Sequence, residues 1–262
     1  MPTVRRDGCD IYWERHGSGP ALLLIAGLGG VATYWEPQLA ALTQRYSVIL
    51  HDQRGSGRSG HVRVRSIEQM AADALAVMDA AGVERAHVIG HSTGGAIGMA
   101  MALDSAARVH GLVVNSSTTH GDDYRRKIFS VRAALLKSKS RADYARVTSL
   151  LLYPPWWINA HAAAIEAEEA RTAAAIGPAA VQKSRFDAIL TWDRRAELGG
   201  IAAPTLVICA ADDILTPSYF SDEIHRLIPG SRHVLLERGG HACSRTMTDL
   251  FNKTVLEFLA PL

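Results

Sequence analysis

The chain contains few cysteines and lacks the common metal-binding motifs. Its three cysteines, Cys9, Cys209 and Cys243, are odd in number and far apart, which excludes a disulfide framework and paired-cysteine zinc or redox motifs. There is no H-E-x-x-H pattern, and His87 and His91 lie across a predicted strand and turn rather than on one helix face. We therefore expect no metal, no cofactor and a reducing compartment, the cytoplasm.

Long apolar runs and blocks of like charge are also missing. No stretch approaches the roughly 18 apolar residues of a membrane span, and Met1 to Asp7 do not resemble a signal peptide. The formal net charge is +2, and the basic clusters at 63–65 and 125–127 are short enough to be solvated faces. We expect a small-molecule partner, with no membrane or nucleic acid, and a homodimer remains open.

Apolar strand patterns alternate with helix patterns over the first 115 residues and again after Pro204. The run at 21–26 is continuous, as in a strand buried on both faces, and Ser66 with Gln69 forms a capping box. This alternation predicts an α/β fold, with a mostly parallel central sheet and helices on both faces. The expected strands are 11–15, 21–26, 46–51, 86–89, 109–115, 206–210 and 234–237, and the expected helices outside the central stretch include 33–44 and 66–81.

The central stretch has no strand pattern. It predicts four helices, at 122–138, 141–152, 160–176 and 178–196. The simplest arrangement is a helical cap inserted at 116–199, above the carboxyl edge of the sheet, between core segments 1–115 and 200–262. Such a cap is expected to set specificity without supplying catalytic groups.

The pentad Gly90-His91-Ser92-Thr93-Gly94 is the most informative motif. It is a G-x-S-x-G sequence between an apolar strand pattern and a helix of small residues. That context places Ser92 at a nucleophile elbow, a strained strand-to-helix turn whose neighbours must be small. The N-terminal amides of the following helix would stabilise negative charge at the site.

A serine nucleophile needs a base, and the base needs an acid behind it. The usual chain order is serine, acid, histidine, and two predicted strands after the elbow end at Asp212-Asp213 and before His241. His241 is therefore the candidate general base, while either aspartate could orient it. The oxyanion hole is expected to use the Thr93 amide and one from the glycine-rich turn at 27–30, for which Leu28 is the candidate.

A second glycine pattern at 55–60 matches G-x-G-x-x-G, the dinucleotide-binding signature. In that signature the helix opens within the motif, so that its amides hold the pyrophosphate. Here the following residues, 61–65, have an extended pattern, and the helix cap comes only at Ser66. A nucleotide-dependent dehydrogenase is therefore disfavoured.

Together these residues resemble the α/β-hydrolase superfamily over the whole chain. The matches are the turn at 26–30, the D-x-R-G-x-G-x-S turn at 52–59, the elbow at 90–94, and the acid and histidine loops. In capped members the acid commonly follows a small residue by three positions and precedes the histidine by about 28. By this resemblance Asp213, which follows Ala210, is favoured over Asp212.

The closer resemblance is to the aminoacrylate hydrolases of pyrimidine breakdown, for which hydrolysis of a small enamine or imine acid has been proposed. It includes the cap and is carried by segments 34–39, 52–55, 152–156, 208–213 and 239–243. Two departures matter. Some members of that group have no elbow serine, whereas this chain has Ser92, and many superfamily members carry histidine where this chain has Ala26.

Several aromatic and basic residues are candidates for contact with the substrate. Trp35, Trp156, Trp157 and Trp192 would suit an apolar or planar ligand, although packing between cap and core explains them equally well. Arg125, with Arg126, could bind a carboxylate, but a solvated helix face is the simpler interpretation.

The primary prediction is a serine hydrolase that cleaves a small carboxylic ester or lactone through an acyl-enzyme. One alternative is C–N hydrolysis of an aminoacrylate-type or amide substrate. The other is a ligand-binding protein without turnover on a hydrolase frame, because a fold alone does not determine function.

Overall fold

The computed structural model describes residues 2–138 and 140–262. Met1 and Lys139, which belong to the predicted first core segment and the predicted cap, lie outside the described residues. An eight-stranded sheet in the order β1-β2-β4-β3-β5-β6-β7-β8 forms the centre of the molecule. Its strands are β1 Thr3–Arg6, β2 Cys9–His16, β3 Ala21–Ile25, β4 Ser47–His51, β5 Ala86–His91, β6 Val109–Asn115, β7 Thr205–Ala210 and β8 Arg232–Leu236.

Six of the strands, β3 to β8, pair in parallel, while β1 and β2 are antiparallel. This confirms the mostly parallel α/β sheet. The central strands β4, β5 and β7 are buried along their whole length, because helices cover both faces. Two apolar clusters form the cores on these faces, and the order of strands places β5 in the middle of the sheet.

The helices lie between the strands and after β8. They are α1 Glu36–Leu42, α2 Ile67–Ala80, α3 Thr93–Asp104, α4 Asp123–Lys137, α5 Arg141–Leu152, α6 Pro155–Ala160, α7 Ala162–Ala175, α8 Ala179–Thr191, α9 Tyr219–Leu227, α10 Cys243–Thr246 and α11 Thr248–Leu259. The Ser66 hydroxyl accepts from the Gln69 amide, as the capping box predicts. Helices α4 to α8 lie between β6 and β7, and we call them the helical insertion.

Four features differ from the sequence prediction. The insertion has five helices rather than four, because a short helix, α6, begins at Pro155, where a proline suits the first helical position. Strand β1 was not predicted, since its four residues are half exposed and half of them are arginine. The single helix expected at 33–44 is a 3-10 turn, Ala32–Trp35, followed by α1, which carries Pro37 in its first turn. The helix expected to reach 196 ends at Thr191, and turns follow it.

No helix in the part of the chain that the structure describes is both long enough and apolar enough to cross a bilayer.

Candidate active site

Ser92 lies at a sharp turn between β5 and α3. Its φ of 54° and ψ of −118° are strained for a residue with a side chain. The flanking glycines permit this turn: a Cβ on Gly90 would overlap the carbonyl oxygen of Gly94, and a Cβ on Gly94 would overlap that of Ile25. The strand, the strained serine and the helix form the geometry of a nucleophile elbow.

The predicted acid and the predicted base meet at the carboxyl edge of the sheet. Asp213 follows β7, His241 follows β8, and His241 Nδ1 lies 2.9 Å from Asp213 Oδ2. The other carboxylate oxygen accepts from the amides of Leu215 and Thr216, at 2.8 and 2.9 Å. Asp213 and His241 are only 3% and 1% exposed, so their interaction is shielded from water.

The neighbouring carboxylate has a different position. Asp212 Oδ1 accepts from the amides of Gly239 and Gly240, at 2.8 and 2.7 Å. Asp212 therefore holds the glycine turn that leads into His241, while Asp213 contacts the imidazole itself. The adjacent aspartates, between which the sequence pattern alone did not decide, are placed in separate positions by the structure.

Thr216 is a member of the site that the sequence did not reveal. Its hydroxyl lies 2.9 Å from Asp213 Oδ2, 3.1 Å from His241 Nδ1 and 2.9 Å from the carbonyl oxygen of Ser116. The hydroxyl thus links the acid loop to the end of β6. The only sequence signal was an acid three positions before a threonine, a pattern that is common in ordinary turns.

His91, the second residue of the pentad, also supports the site. Its Nε2 donates to the carbonyl oxygen of His241 at 3.0 Å, because a carbonyl can only accept. Its ring stacks on Tyr34 with centroids 4.5 Å apart and lies 4.8 Å from the ring of His241. Burial, and then the proximity of His241, keep the pKa of His91 well below its ordinary value, which favours the neutral ring.

The turn predicted to supply an oxyanion donor lies against the elbow. The Gly30 amide donates to the Gly27 carbonyl at 2.9 Å, which closes a four-residue turn around Leu28. A Cβ on Gly27 would lie 3.1 Å from the Cβ of Ser92, so the turn and the serine are in close contact. The Thr93 amide is in the first turn of α3, where amides have no acceptor within the helix. The structure therefore brings both predicted donor segments to Ser92.

Two polar side chains hold this turn, and neither was predicted. Gln53 Nε2 donates to the carbonyl of Ala26 at 2.6 Å. Arg185, from α8 of the insertion, donates through Nη2 to the carbonyl of Leu28 at 2.9 Å and to Gln53 Oε1 at 2.6 Å. These contacts brace the loop in a chain that has alanine, not histidine, at position 26.

Two of the four candidate tryptophans lie in the core. Trp35 is fully buried and packs against Phe251 of α11, with ring centroids 6.3 Å apart. Trp192 is buried in the apolar cluster on the other face of the sheet. Both rings pack with core residues, which is the packing alternative, and their contact with a substrate stays a prediction.

Trp156 and Trp157 lie on α6 and are half-buried. The guanidinium of Arg238 lies over the Trp156 ring at 4.7 Å, and the Trp157 ring stacks on His161 at 3.8 Å. Arg238 belongs to the segment between β8 and His241. The two rings therefore adjoin the approach to the histidine loop, and their role toward a substrate stays a prediction.

Arg125 does not lie on a solvated helix face. It is 2% exposed, and its Nη1 donates to Thr118 Oγ1 at 3.0 Å and to the carbonyl of His120 at 3.2 Å. Its Nε has no hydrogen-bond partner among the described residues. Burial lowers the pKa of Arg125 to about 10. Arg126, one position on, is exposed as expected.

Cys243 lies behind the site, fully buried, where its sulfur accepts from Asn115 Nδ2 at 3.1 Å. Burial raises the pKa of this thiol to about 11, so it is protonated at neutral pH. Within the described ranges, no group of three or more histidine, cysteine, aspartate or glutamate side chains is placed to hold a metal ion.

Comparisons with known proteins agree with this geometry. A family model described as the alpha/beta hydrolase fold matches residues 20–243. A protein of Azorhizobium caulinodans, provisionally named carbamate hydrolase RutD, is 42% identical over 259 residues, 98% of each chain. A protein of the same name from Escherichia coli O81 is 39% identical over 94% of each chain. The crystal structure of the enol-lactonase of Burkholderia xenovorans LB400 is 25% identical, with a TM-score of 0.91, and covers 99% of this chain and 100% of its own.

Proposed function

The chain belongs to the alpha/beta-hydrolase family and is a hydrolase, and from that premise we propose that it cleaves a carbon–nitrogen bond in a small carbamate or aminoacrylate-type acid. The observation that carries the proposal is the buried Asp213–His241 pair together with a serine at a nucleophile elbow, whose neighbour His91 is hydrogen-bonded to the His241 carbonyl. The type of bond is suggested by the relatives named for carbamate hydrolysis, which match this chain over nearly its full length.

For a carbamate, in which the nitrogen is bonded to the carbonyl carbon, the first half of the proposed reaction forms a covalent intermediate. An aminoacrylate-type acid carries its nitrogen on a carbon that is not acyl, so the covalent steps below apply to the carbamate. Because His241 Nδ1 faces Asp213, Nε2 is the nitrogen that takes the proton as Ser92 Oγ attacks the carbonyl carbon. The amides of Thr93 and Leu28 hold the resulting oxyanion. The C–N bond then breaks, the nitrogen leaves with the proton from His241, and the acyl group stays on Ser92.

The second half regenerates the enzyme. Water gives a proton to His241 Nε2 and attacks the acyl carbon, and the ester bond to Ser92 breaks as its oxygen regains the proton. Asp213 stays ionised throughout and stabilises the imidazolium form of His241. The low exposure of both side chains strengthens this stabilisation.

Recognition of an acid needs a cation, and Arg125 is the candidate in this proposal. Burial lowers the pKa of Arg125, the charges of Asp122 and then of Asp213 act against this, and its Nε has no partner among the described residues. A buried cation without a bonded carboxylate is costly, and a substrate carboxylate would compensate it. In the same proposal the helical insertion serves as a cap over Ser92.

Ester or lactone hydrolysis is the second candidate. It is favoured by the similarity of the whole chain to the enol-lactonase structure, at a TM-score of 0.91. Carbamate and ester hydrolysis share the same covalent chemistry and differ in the leaving group, which is an amine in one case and an alcohol or enol in the other.

A substrate panel distinguishes these functions. We expect kcat/KM of the purified enzyme to be highest for small carbamates or aminoacrylate-type acids, and lower for enol-lactones and esters of equal size. Arg125→Met is expected to raise KM for an acid and to leave KM for its methyl ester unchanged. A higher kcat/KM for lactones than for carbamates would favour ester or lactone hydrolysis over C–N hydrolysis. Equal changes in KM for the acid and its methyl ester would exclude Arg125 from carboxylate binding.

A further inference from the structure

We call the turn at 27–30 the oxyanion turn. Among the described residues of the helical insertion, only Arg185 forms a side-chain hydrogen bond to this turn. Its Nη2 contacts the Leu28 carbonyl and Gln53 Oε1, and its Nη1 donates to the carbonyl of Arg54. A Cβ on Gly30 would lie 2.6 Å from Nη2, so the guanidinium is pressed against the turn. Arg185 therefore joins the insertion to the turn that contacts Ser92.

The guanidinium of Arg185 is fully buried, and its recorded partners are two carbonyls and an amide oxygen rather than a carboxylate. Burying a cation in this way costs free energy, and burial lowers the pKa of Arg185 to about 10. By contrast, the buried Arg54 forms a bidentate ion pair with Asp73 at 2.7 and 2.8 Å. The burial of Arg185 therefore costs free energy that the burial of Arg54, which is paired with a carboxylate, does not.

The Leu28 carbonyl has a particular place in the turn. In the turn closed by the Gly30 amide and the Gly27 carbonyl, the central peptide joins the Leu28 carbonyl to the Gly29 amide. Rotation of this peptide interconverts type I and type II turns, and type II needs a positive φ at the third residue, which glycine allows. Gly29 does not have a positive φ, so the central peptide is in the type I orientation and not in the type II orientation.

We propose that Arg185 is a positioning residue that locks this central peptide and so keeps the oxyanion turn in its active form. Without Arg185, the peptide is free to rotate, because glycine at position 29 tolerates both forms. In the observed form a Cβ at position 29 would meet nothing within 4 Å, so alanine fits there. The Leu28 amide belongs to the preceding peptide, so rotation does not turn it away directly. Rotation instead releases the Leu28 backbone that Arg185 anchors through the carbonyl, and the amide is then held less precisely beside Ser92, which weakens stabilisation of the oxyanion. The proposal rests on the serine mechanism given above.

The test compares an activated aryl ester with its thionoester, since sulfur accepts oxyanion-hole hydrogen bonds poorly. Removing one oxyanion donor lowers kcat by roughly 100- to 1000-fold in a serine hydrolase. For Arg185→Met we expect a smaller loss of kcat for the oxygen ester, about 10- to 100-fold, with KM nearly unchanged. The thionoester should lose less than about threefold, because it makes little use of the oxyanion hole.

A second substitution tests the rotation itself. Alanine at position 29 disfavours positive φ, so adding Gly29→Ala to Arg185→Met should restore kcat for the oxygen ester several-fold. Ser184→Ala is the matched control: on the same helix, its hydroxyl accepts from the Val64 amide at 3.0 Å, away from the turn. We expect this control to keep the parental kcat for both esters.

Equal losses for the two esters, or no recovery with Gly29→Ala, would overturn the proposal and indicate a general packing role. If Arg185→Met does not fold, Arg185→Lys is the alternative variant, because lysine keeps the charge but cannot bond the Leu28 and Arg54 carbonyls at the same time. Its loss of kcat should again be larger for the oxygen ester than for the thionoester, with a smaller difference than in Arg185→Met. Failure of the serine mechanism is seen separately, since Ser92→Ala would then retain turnover of both esters.

Discussion

The parallel sheet and the helical insertion contribute differently to the site. Every residue of the proposed triad follows a strand of the sheet, and α4 to α8 supply none of them. Yet the insertion is hydrogen-bonded to the loop after β7, to the loop after β8 and to the turn at 27–30. Leu152 accepts from the Ala242 amide at 3.0 Å, and Tyr124 donates to the carbonyl of Ile214 at 2.5 Å. Arg185 holds the oxyanion turn.

This comparison changes the role expected for the insertion. From the sequence it was expected to set specificity alone, because it contains no candidate for the triad. The hydrogen bonds show that it also contacts the loops that carry Asp213, His241 and Leu28, the proposed acid, base and oxyanion donor. Reacting groups supplied by the core are thus held partly from the insertion, and substitutions in the two regions should have effects of different size and kind.

The largest effect among the predicted substitutions should come from the core. Asp213→Asn is expected to lower kcat by on the order of 10³–10⁴-fold, because an amide at this position favours the wrong imidazole tautomer. Asp212→Asn keeps an oxygen acceptor for the two glycine amides and should cost far less. Steady-state kinetics of both variants would check this, and the reverse ranking would assign the acid role to Asp212.

An intermediate effect is expected from α6 in the insertion. Trp156→Ala and Trp157→Ala should change the ranking of acyl substrates if either ring lines the pocket, by roughly 1–3 kcal/mol for a well-fitted substrate, or about 10- to 100-fold. Labelling by a small serine-directed organophosphate should continue at the parental rate. Unchanged selectivity across a varied panel, in folded variants, would identify both rings as packing residues.

The smallest effect is expected from thiol modification. Burial raises the pKa of Cys9, of Cys209 to about 12 and of Cys243 to about 11, so at pH 8 almost no reactive thiolate forms. Iodoacetamide at pH 8 should therefore leave the folded enzyme unmodified and active, and the reactivity of Cys243 should rise only as the pH approaches 11. Mass spectrometry would detect alkylation, and rapid labelling of Cys243 with loss of activity would contradict its buried, protonated state.

Much of the sheet could be predicted because its signals are local. The continuous apolar runs at 21–26 and 206–210 predicted the buried strands β3 and β7, and the capping box at Ser66 marks a helix start. Strand β1 was missed because it is four residues long and half exposed, with too little pattern to recognise.

The long-range contacts could not be predicted in the same way. Nothing local to Arg185 indicates a bond to Leu28, which lies 157 positions away. Arg125 belongs to a basic cluster that is typical of a solvated surface, yet its side chain is buried. Trp35 follows the oxyanion turn in sequence, but its ring packs against Phe251. In each case burial is set by tertiary packing, which composition does not encode.

The most direct test of the proposed mechanism is capture of the covalent intermediate. The enzyme would be mixed with a small activated carbamate, quenched with acid within milliseconds, digested and analysed by mass spectrometry. The proposal predicts that the peptide containing Ser92 gains the mass of the acyl group, at a rate no slower than turnover, and that Ser92→Ala shows neither the adduct nor turnover. Parental turnover by Ser92→Ala, with no adduct on the parent enzyme, would contradict it.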